Sequence, residues 1–280
     1  MFFLLPGVSW LDFRKQRVVT ALTAAGVALG NAASSVPAGS TTAPKTARQI
    51  MEEVDRRHRS DFQYSEGLVT VEEKGKVRKK AWRSWRAGWG GESRGLIQFL
   101  EPAEVKGVSL LTVSHPGRPD EQWFYTPAID RDRRVAPQEK PTRFLGTHFT
   151  YEDMEERVLD DYEYSLLGEE PLDEAPCWRI EARPKPGKES QYSRLVFRVR
   201  EDLFTTALIE GFVAGELRRT FRGSALAPIE GIPTAQRWEV TDAKREGKTT
   251  LELRNVRYHT RVEPGMFTLQ ALRILHESPP

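Results

Sequence analysis

The chain of 280 residues is 39% hydrophobic and 29% charged, a balance typical of a globular protein rather than an integral membrane one. Its 42 basic and 40 acidic residues nearly cancel. Equal charge of both signs excludes the basic excess that phosphate backbones attract, so nucleic acid is not an expected partner. The length suits one large all-β domain as well as two smaller domains.

The N-terminal 38 residues have the order of side chains found in a secretory signal peptide. Three basic residues within 14–17 precede an uncharged, mostly apolar run at 18–29, and small residues follow at 30–38. Because the run is too short to span a bilayer, we expect the segment to be cleaved after export to the periplasm. We expect the mature chain, 39–280, to form a single domain. No cysteine lies directly after the run, so a lipid anchor is not expected. An uncleaved anchor is the alternative.

A helix is expected after a short linker. Thr46 and Gln49 have the spacing of a capping box, in which each side chain binds the other residue's backbone N–H. The residues that recur at helical intervals on the apolar face are Ala47, Ile50, Met51 and Val54. The pattern predicts an amphipathic helix that ends near Ser60.

From residue 61 onward apolar and polar residues alternate with a period of two, which predicts β-strands. Turn signals such as Lys74-Gly75 and Pro186-Gly187 separate them. We expect about eleven short strands. Twelve runs show the alternation, near 66–73, 76–87, 95–100, 107–114, 120–126, 161–167, 176–184, 190–200, 203–210, 212–222, 235–242 and 248–257. No long helical pattern separates these runs, so the predicted fold is mostly β (α+β), an antiparallel sheet with one covered face.

The segment 131–153 lacks alternation and contains two prolines and three aromatic residues, Phe144, Phe149 and Tyr151. Irregular segments of this length are usually functional or disordered. The aromatic residues favour an ordered, movable lid over an apolar cavity that one helix alone would not fill. The alternative is that they are permanent core.

The pattern G-x-S-x-G occurs around Ser93, as in serine hydrolases, which place this serine between a strand and a helix. Here a strand ending at Pro102 follows instead, so we interpret 88–95 as a hairpin turn. The single cysteine, Cys177, cannot form an internal disulfide, and we expect it to be a buried packing residue.

Metal binding has no support in the spacing of the five histidines, which are His58, His115, His148, His259 and His276. Four carboxylates within 152–156 suit the positive end of a short helix. A glycosidase pair would need two carboxylates that meet in space, and the sequence gives no reason to prefer one.

Three segments carry further motifs: FLEP at 99–102 with KG at 106–107, WFYTPA at 123–128 with RRV at 133–135, and FLGTHFTYED at 144–153. Together they resemble the outer-membrane lipoprotein-sorting family related to the periplasmic carrier LolA. His148 stands where this family commonly has aspartate. The match continues through Tyr164, Gly168, Trp178 and Arg194, and covers roughly 47–270.

The resemblance implies a curved antiparallel sheet that forms a half-barrel, with the helix and an irregular lid over its concave face. It also implies a monomeric, non-catalytic carrier for acyl chains of lipids or lipoproteins, without a cofactor, that works with an envelope transporter or outer-membrane acceptor. The alternative function is an envelope sensor on the same fold. The candidate cavity residues are Trp85, Phe99, Leu111, Trp123, Tyr125, Phe144, Phe149, Tyr151, Trp178 and Phe197.

We predict that the exported protein loses its first 30 to 38 residues, because the charged, apolar and small-residue segments follow one another in the order that signal peptidase requires. Intact-mass measurement of the periplasmic fraction checks this prediction. A membrane-bound product that still begins at Met1 would show instead that 1–13 belongs to an anchor.

Overall fold

Residues 6–7 and 45–276 are described by the computed structural model. Apart from 6–7, the predicted signal peptide lies outside this part of the chain. The described residues form one α-helix, α1 (Ala47–His58), and fifteen β-strands. The strands are β1 (Pro6–Gly7), β2 (Phe62–Glu73), β3 (Lys76–Ala87), β4 (Arg94–Glu101), β5 (Ser109–His115), β6 (Arg118–Thr126), β7 (Arg131–Arg134), β8 (Arg157–Val158), β9 (Tyr162–Glu169), β10 (Cys177–Pro184), β11 (Arg194–Arg200), β12 (Thr205–Val213), β13 (Glu216–Ile229), β14 (Ile232–Asp242) and β15 (Lys248–Tyr258).

The capping box predicted for α1 is confirmed. The Thr46 side chain accepts a hydrogen bond from the Gln49 backbone, and the Gln49 side chain accepts one from the Thr46 backbone. At the other end of α1, burial lowers the pKa of His58 to about 4, so its ring is neutral. Its Nδ1 donates to the Val54 carbonyl at 2.6 Å, and its Nε2 accepts from the Thr205 hydroxyl at 2.8 Å. The helix is therefore fixed to β12 at its C-terminal end.

Thirteen strands form one curved antiparallel sheet that is not closed into a barrel, in the order β7-β6-β5-β4-β3-β2-β15-β14-β13-β12-β11-β10-β9. Sequence neighbours pair throughout except at the centre, where β2 pairs with β15 and joins an N-terminal group of strands to a C-terminal group. A separate parallel pair joins β1 to β8. The sheet has more strands than the expected eleven, in part because Arg131–Arg134 pairs with β6 although its four charged residues give no alternation.

Two-residue hairpin turns fix the register of three strand pairs. Lys74-Gly75, Ala214-Gly215 and Glu230-Gly231 each have two successive positive φ angles, between 49° and 87°. Such turns match the right-handed twist of the strands that they join, and glycine adopts the second position without a steric cost.

Two hydrophobic clusters lie on opposite faces of the sheet. Strand neighbours such as Leu96 and Ile97, or Leu110 and Leu111, fall in different clusters, because successive side chains point to opposite faces. The first cluster contains the buried residues of α1, and we call this side the helix face. The second contains residues of 262–276, the tail, and we call this side the tail face. The predicted sheet had one covered face, but the tail also covers part of the second.

Among the described residues, no helix is long and apolar enough to cross a membrane.

Thr46→Ala is expected to lower the free energy of unfolding by about 1 kcal/mol, because it removes the side-chain acceptor of the capping box. Urea unfolding measures the change. Thr46→Ser keeps the hydroxyl and serves as the matched control. Equal midpoints for the alanine and serine variants would contradict the prediction.

Candidate ligand-binding face and its cover

Six of the ten candidate residues lie on the helix face, and all six are aromatic. Four of them lie near β4 and β13, namely Phe99, Phe144, Phe149 and Tyr151. The ring centroids of Phe99 and Phe144 are 5.8 Å apart, and those of Phe144 and Tyr151 are 5.5 Å apart. The ring centroids of Phe149 and Phe221 of β13 are 6.1 Å apart. All five side chains are buried. The helix face therefore carries one hydrophobic cluster, rich in aromatic residues, to which both groups of strands contribute.

The remaining two, Trp178 and Phe197, lie further along the helix face on β10 and β11. Phe197 is buried, whereas Trp178 is half-buried with its ring 4.9 Å from that of Phe204. The guanidinium of Arg57 in α1 lies 4.2 Å above the Phe204 ring. This end of the face is thus covered by α1.

The other four candidates, Trp85, Leu111, Trp123 and Tyr125, belong to the tail face. The Trp85 ring lies 5.7 Å from the rings of Tyr64 and His276. The structure therefore does not bring these four residues together with the other six, and one ligand on one face would contact only one set.

Sequence reasoning missed several residues of the helix face. Phe124 lies between Trp123 and Tyr125 in β6, and its ring is 6.4 Å from Phe144 and 6.2 Å from Tyr151. Strict alternation places Phe124 opposite its two neighbours, so the period of two would have found it. The same alternation along β13 would have identified Phe221 as a buried residue.

The helix face is closed by residues 135–161 between β7 and β9, which we call the cover segment. Most of the expected lid, 131–153, lies within it, although its first four residues form β7. Its aromatic side chains point into the helix-face cluster. Polar side chains hold its backbone at many points, so it is an ordered structure.

Contacts with the N-terminal strands hold one side of the cover segment. Lys80 of β3 donates to the Leu145 carbonyl at 3.0 Å, and Arg143 pairs with Glu73 of β2 at 3.1 Å. Gln122 of β6 donates to the Tyr151 carbonyl at 2.8 Å.

Contacts with the C-terminal strands hold the other side. His148 Nδ1 lies 2.8 Å from the Thr249 hydroxyl, and Arg219 of β13 donates to the His148 carbonyl at 3.1 Å. Burial lowers the pKa of His148, with a smaller contribution from Arg143. The Tyr192 hydroxyl donates to Asp153 at 2.8 Å. The cover segment therefore bridges the two groups of strands.

Of the four carboxylates of 152–156, three are buried and Glu152 is half-buried, and each has its own partners. Glu152 accepts from the Ser190 hydroxyl and the Gln191 backbone, and Glu155 pairs with Lys140 at 2.6 Å. Burial raises the pKa of Glu152, and it raises the pKa of Glu155 to about 7. Glu152 therefore holds the cover segment to the loop before β11, whereas the Glu155–Lys140 pair joins two parts of the segment itself.

Glu156 fixes the connection between β3 and β4, where the G-x-S-x-G pattern lies. It accepts hydrogen bonds from the backbones of Gly90 and Gly91, at 2.8 and 3.1 Å, and from the Ser93 hydroxyl at 2.6 Å. Strand β4 follows Ser93, in agreement with the hairpin-turn interpretation and unlike the strand-to-helix turn of a hydrolase.

Cys177 is fully buried, and burial raises the pKa of its thiol. Within the described part of the chain, no group of three or more His, Cys, Asp or Glu side chains is arranged to hold a metal ion.

Cavities open at several places on the surface of the described residues. One of about 540 Å³, lined by polar and apolar groups alike, lies between the β5–β6 turn, 158–161 and the loop at 185–189. A second of about 270 Å³ lies at the β12–β13 turn, and a third of about 20 Å³ lies among the carboxylates of the cover segment. None of the ten candidate residues lines any of these three cavities.

Several solved structures share this fold, and a protein of the LolA superfamily is among them. A LolA superfamily protein from Nitrosomonas europaea has a TM-score of 0.65 and 19% identity, covering 81% of this chain and 100% of its own. A domain named for outer membrane lipoprotein sorting, from Vibrio parahaemolyticus, has a TM-score of 0.77 and 22% identity, covering 81% and 98%. At these identities the likeness shows the fold, and the resemblance seen in the sequence is confirmed at that level.

The family to which the chain belongs is shown by a match to a protein-family model. A family model described as an uncharacterized protein matches residues 91–274, about two thirds of the chain, and the chain belongs to that family. A DUF1329 family protein from Desulfovibrio piger is also similar, with 28% identity, a TM-score of 0.78, and coverage of 81% of this chain and 97% of its own. No match was found among curated proteins.

Glu155→Gln is expected to reduce the pH dependence of stability. Because burial raises the pKa of Glu155 from 4.5 to about 7, the folded protein binds this proton more tightly than the unfolded chain does. Stability is therefore lost as the pH rises from the unfolded pKa through the folded one. Between about pH 5 and about pH 8 the wild type should lose about 2 kcal/mol more unfolding free energy than the variant.

Urea unfolding at the two pH values measures this difference. Glu163→Gln, at an exposed position on β9, removes one carboxylate and is the matched control. The prediction is wrong if the Glu155→Gln variant keeps the pH dependence of the wild type.

Proposed function

We propose that the chain is an exported, non-catalytic carrier that binds acyl chains of lipids or lipoproteins on its helix face, beneath the cover segment. It sorts them toward the outer membrane from the periplasm. The fold shared with a domain named for lipoprotein sorting and with a LolA superfamily protein supports the class of ligand and the compartment.

The observation that carries the proposal is the way the helix face is closed. The cover segment places Phe144, Phe149 and Tyr151 against the sheet, while polar contacts on both sides hold its backbone. These aromatic side chains fill the place that an acyl chain would occupy. A chain that replaces them is removed from water at a gain of about 25 cal/mol per Å² of apolar surface.

Under this proposal the candidate residues on the two faces of the sheet have different roles. The six on the helix face contact the acyl chain, whereas the four on the tail face stabilise the fold. The carboxylates of the cover segment hold its ends while its aromatic groups move aside. No reaction is required of Ser93 or of the carboxylates in 152–156, whose hydrogen bonds hold the cover segment and the β3–β4 connection.

Phe144→Ala is expected to tighten the binding of a fluorescent fatty acid by about tenfold or more. Truncating a buried phenylalanine costs the closed state about 3–5 kcal/mol, whereas the lost contact costs the bound acyl chain about 1–3 kcal/mol. The first effect is larger, so displacement of the cover segment becomes easier. Fluorescence titration of the folded protein measures the affinity.

Phe267→Ala is the matched control, because it truncates a buried phenylalanine of the tail face. It should lower the urea midpoint but leave the affinity unchanged. The absence of fatty-acid binding by the wild type, or an equal change of affinity in both variants, would reject the carrier function.

A further inference from the structure

Three hairpin tips lie side by side at one end of the sheet. They are the turns of β2–β3, β12–β13 and β14–β15, and the pairing of β2 with β15 and of β14 with β13 makes them neighbours. Gly247 packs so closely on β2 that an added Cβ would lie 1.9 Å from the Glu72 carbonyl oxygen. We call residues 74–79, 214–217 and 243–247 the hairpin rim.

Positive charge is concentrated on the hairpin rim. It carries six basic residues and two acidic ones, whereas the whole chain has nearly equal numbers of each. The basic residues are Lys74, Lys76, Arg78, Lys79, Lys244 and Arg245. All six are exposed. Among the described residues, no carboxylate oxygen lies within 4.0 Å of the ammonium groups of Lys74, Lys76 or Lys79. These charges are therefore available to a partner.

Exposed apolar side chains lie among these charges. Val77 is 61% exposed between Lys76 and Arg78, and Leu217 is 41% exposed at the β12–β13 turn. Both belong to the few large hydrophobic side chains that the described surface exposes. If the rim served only as a charged surface in contact with water, the unfavourable exposure of these two apolar side chains would not be offset by burial against a partner.

The mainly apolar cavity of about 270 Å³ opens beside the same rim. Val213, Ala214 and Leu217 contribute apolar surface to it, and Arg218 and Lys244 also line it. Arg218 and Arg219 both pair with Asp242 and are largely buried. Lys244 is 65% exposed and lies 3.9 Å from Glu216, which also lines the cavity.

The combination of charges and apolar groups distinguishes between anionic partners. Nucleic acid is bound through phosphates together with groove contacts or aromatic stacking, and the rim has no aromatic residue. A bilayer offers phosphates at its surface and hydrocarbon just beneath, which matches lysines surrounding Val77 and Leu217 and a neighbouring apolar cavity.

We infer that the hairpin rim is a docking surface for the anionic lipid headgroups of a membrane. Lys74, Lys76 and Lys79 contact the phosphates, and Val77 enters the boundary between headgroups and hydrocarbon. This docking goes beyond the carrier function and does not depend on acyl-chain binding.

Vesicle co-sedimentation tests the docking surface. The wild type should bind phosphatidylcholine vesicles that contain about 30 mol% phosphatidylglycerol, and about 0.5 M salt should release it, because salt screens the headgroup charges. Reversal of three charges, Lys74→Glu with Lys76→Glu and Lys79→Glu, should lower the partition coefficient at least about tenfold.

A matched variant reverses three exposed basic residues outside the rim, Arg94→Glu with Lys185→Glu and Arg261→Glu, and should keep most of the binding. The urea midpoint of each variant confirms that it is folded. Four results would overturn the inference: no vesicle binding, equal binding to pure phosphatidylcholine, equal loss in both variants, or binding to duplex DNA but not to vesicles.

Discussion

The antiparallel pairing of β2 with β15 joins two groups of strands that the chain forms far apart. Each group is a series of neighbouring hairpins, β2–β7 and β9–β15, and only this central pair connects them within the sheet. The pair runs from Lys248 against Glu72 to Tyr258 against Gln63. Gly67 permits its close approach, since a Cβ there would lie 1.8 Å from the Glu252 carbonyl oxygen. The continuous helix face, its cover and the neighbouring hairpin tips all depend on this pairing.

The cover segment forms the second connection between the two groups, and it is made through polar side chains. Arg143 reaches Glu73 on one side, while His148 and Asp153 are held by Thr249 and Tyr192 on the other. Buried polar groups are costly unless they are paired, so these contacts specify one position for the segment. The aromatic side chains between them need only fill space. Under the proposed carrier function, the segment exchanges its apolar filling for a ligand while its polar contacts are kept.

Local sequence patterns predicted some features of the candidate site but not others. Aromatic composition selected residues of both faces, although the alternation that predicted the strands also separates Trp123 and Tyr125 from Phe124. Alternation assigns neighbours to opposite faces but does not say which face α1 covers. That choice follows from the contacts of Arg57 and His58 with β12 and its preceding turn, which are distant in sequence. The tail residues Val262, Phe267 and Leu272 gave no periodic signal, so the second covered face was not predicted.

The sequence by itself determined the elements whose signals are local. The capping box fixed the start of α1, alternation fixed most strands, and X-Gly turns fixed three hairpins, because these depend on residues a few positions apart. Only the tertiary structure decided the rest. The charged strand β7 exists because β6 offers it unpaired backbone groups, and the burial of Glu155 and Glu156 follows from partners in other elements. Which lysines share the hairpin rim was decided by the pairing of β2 with β15, since long-range register leaves no mark in either strand alone.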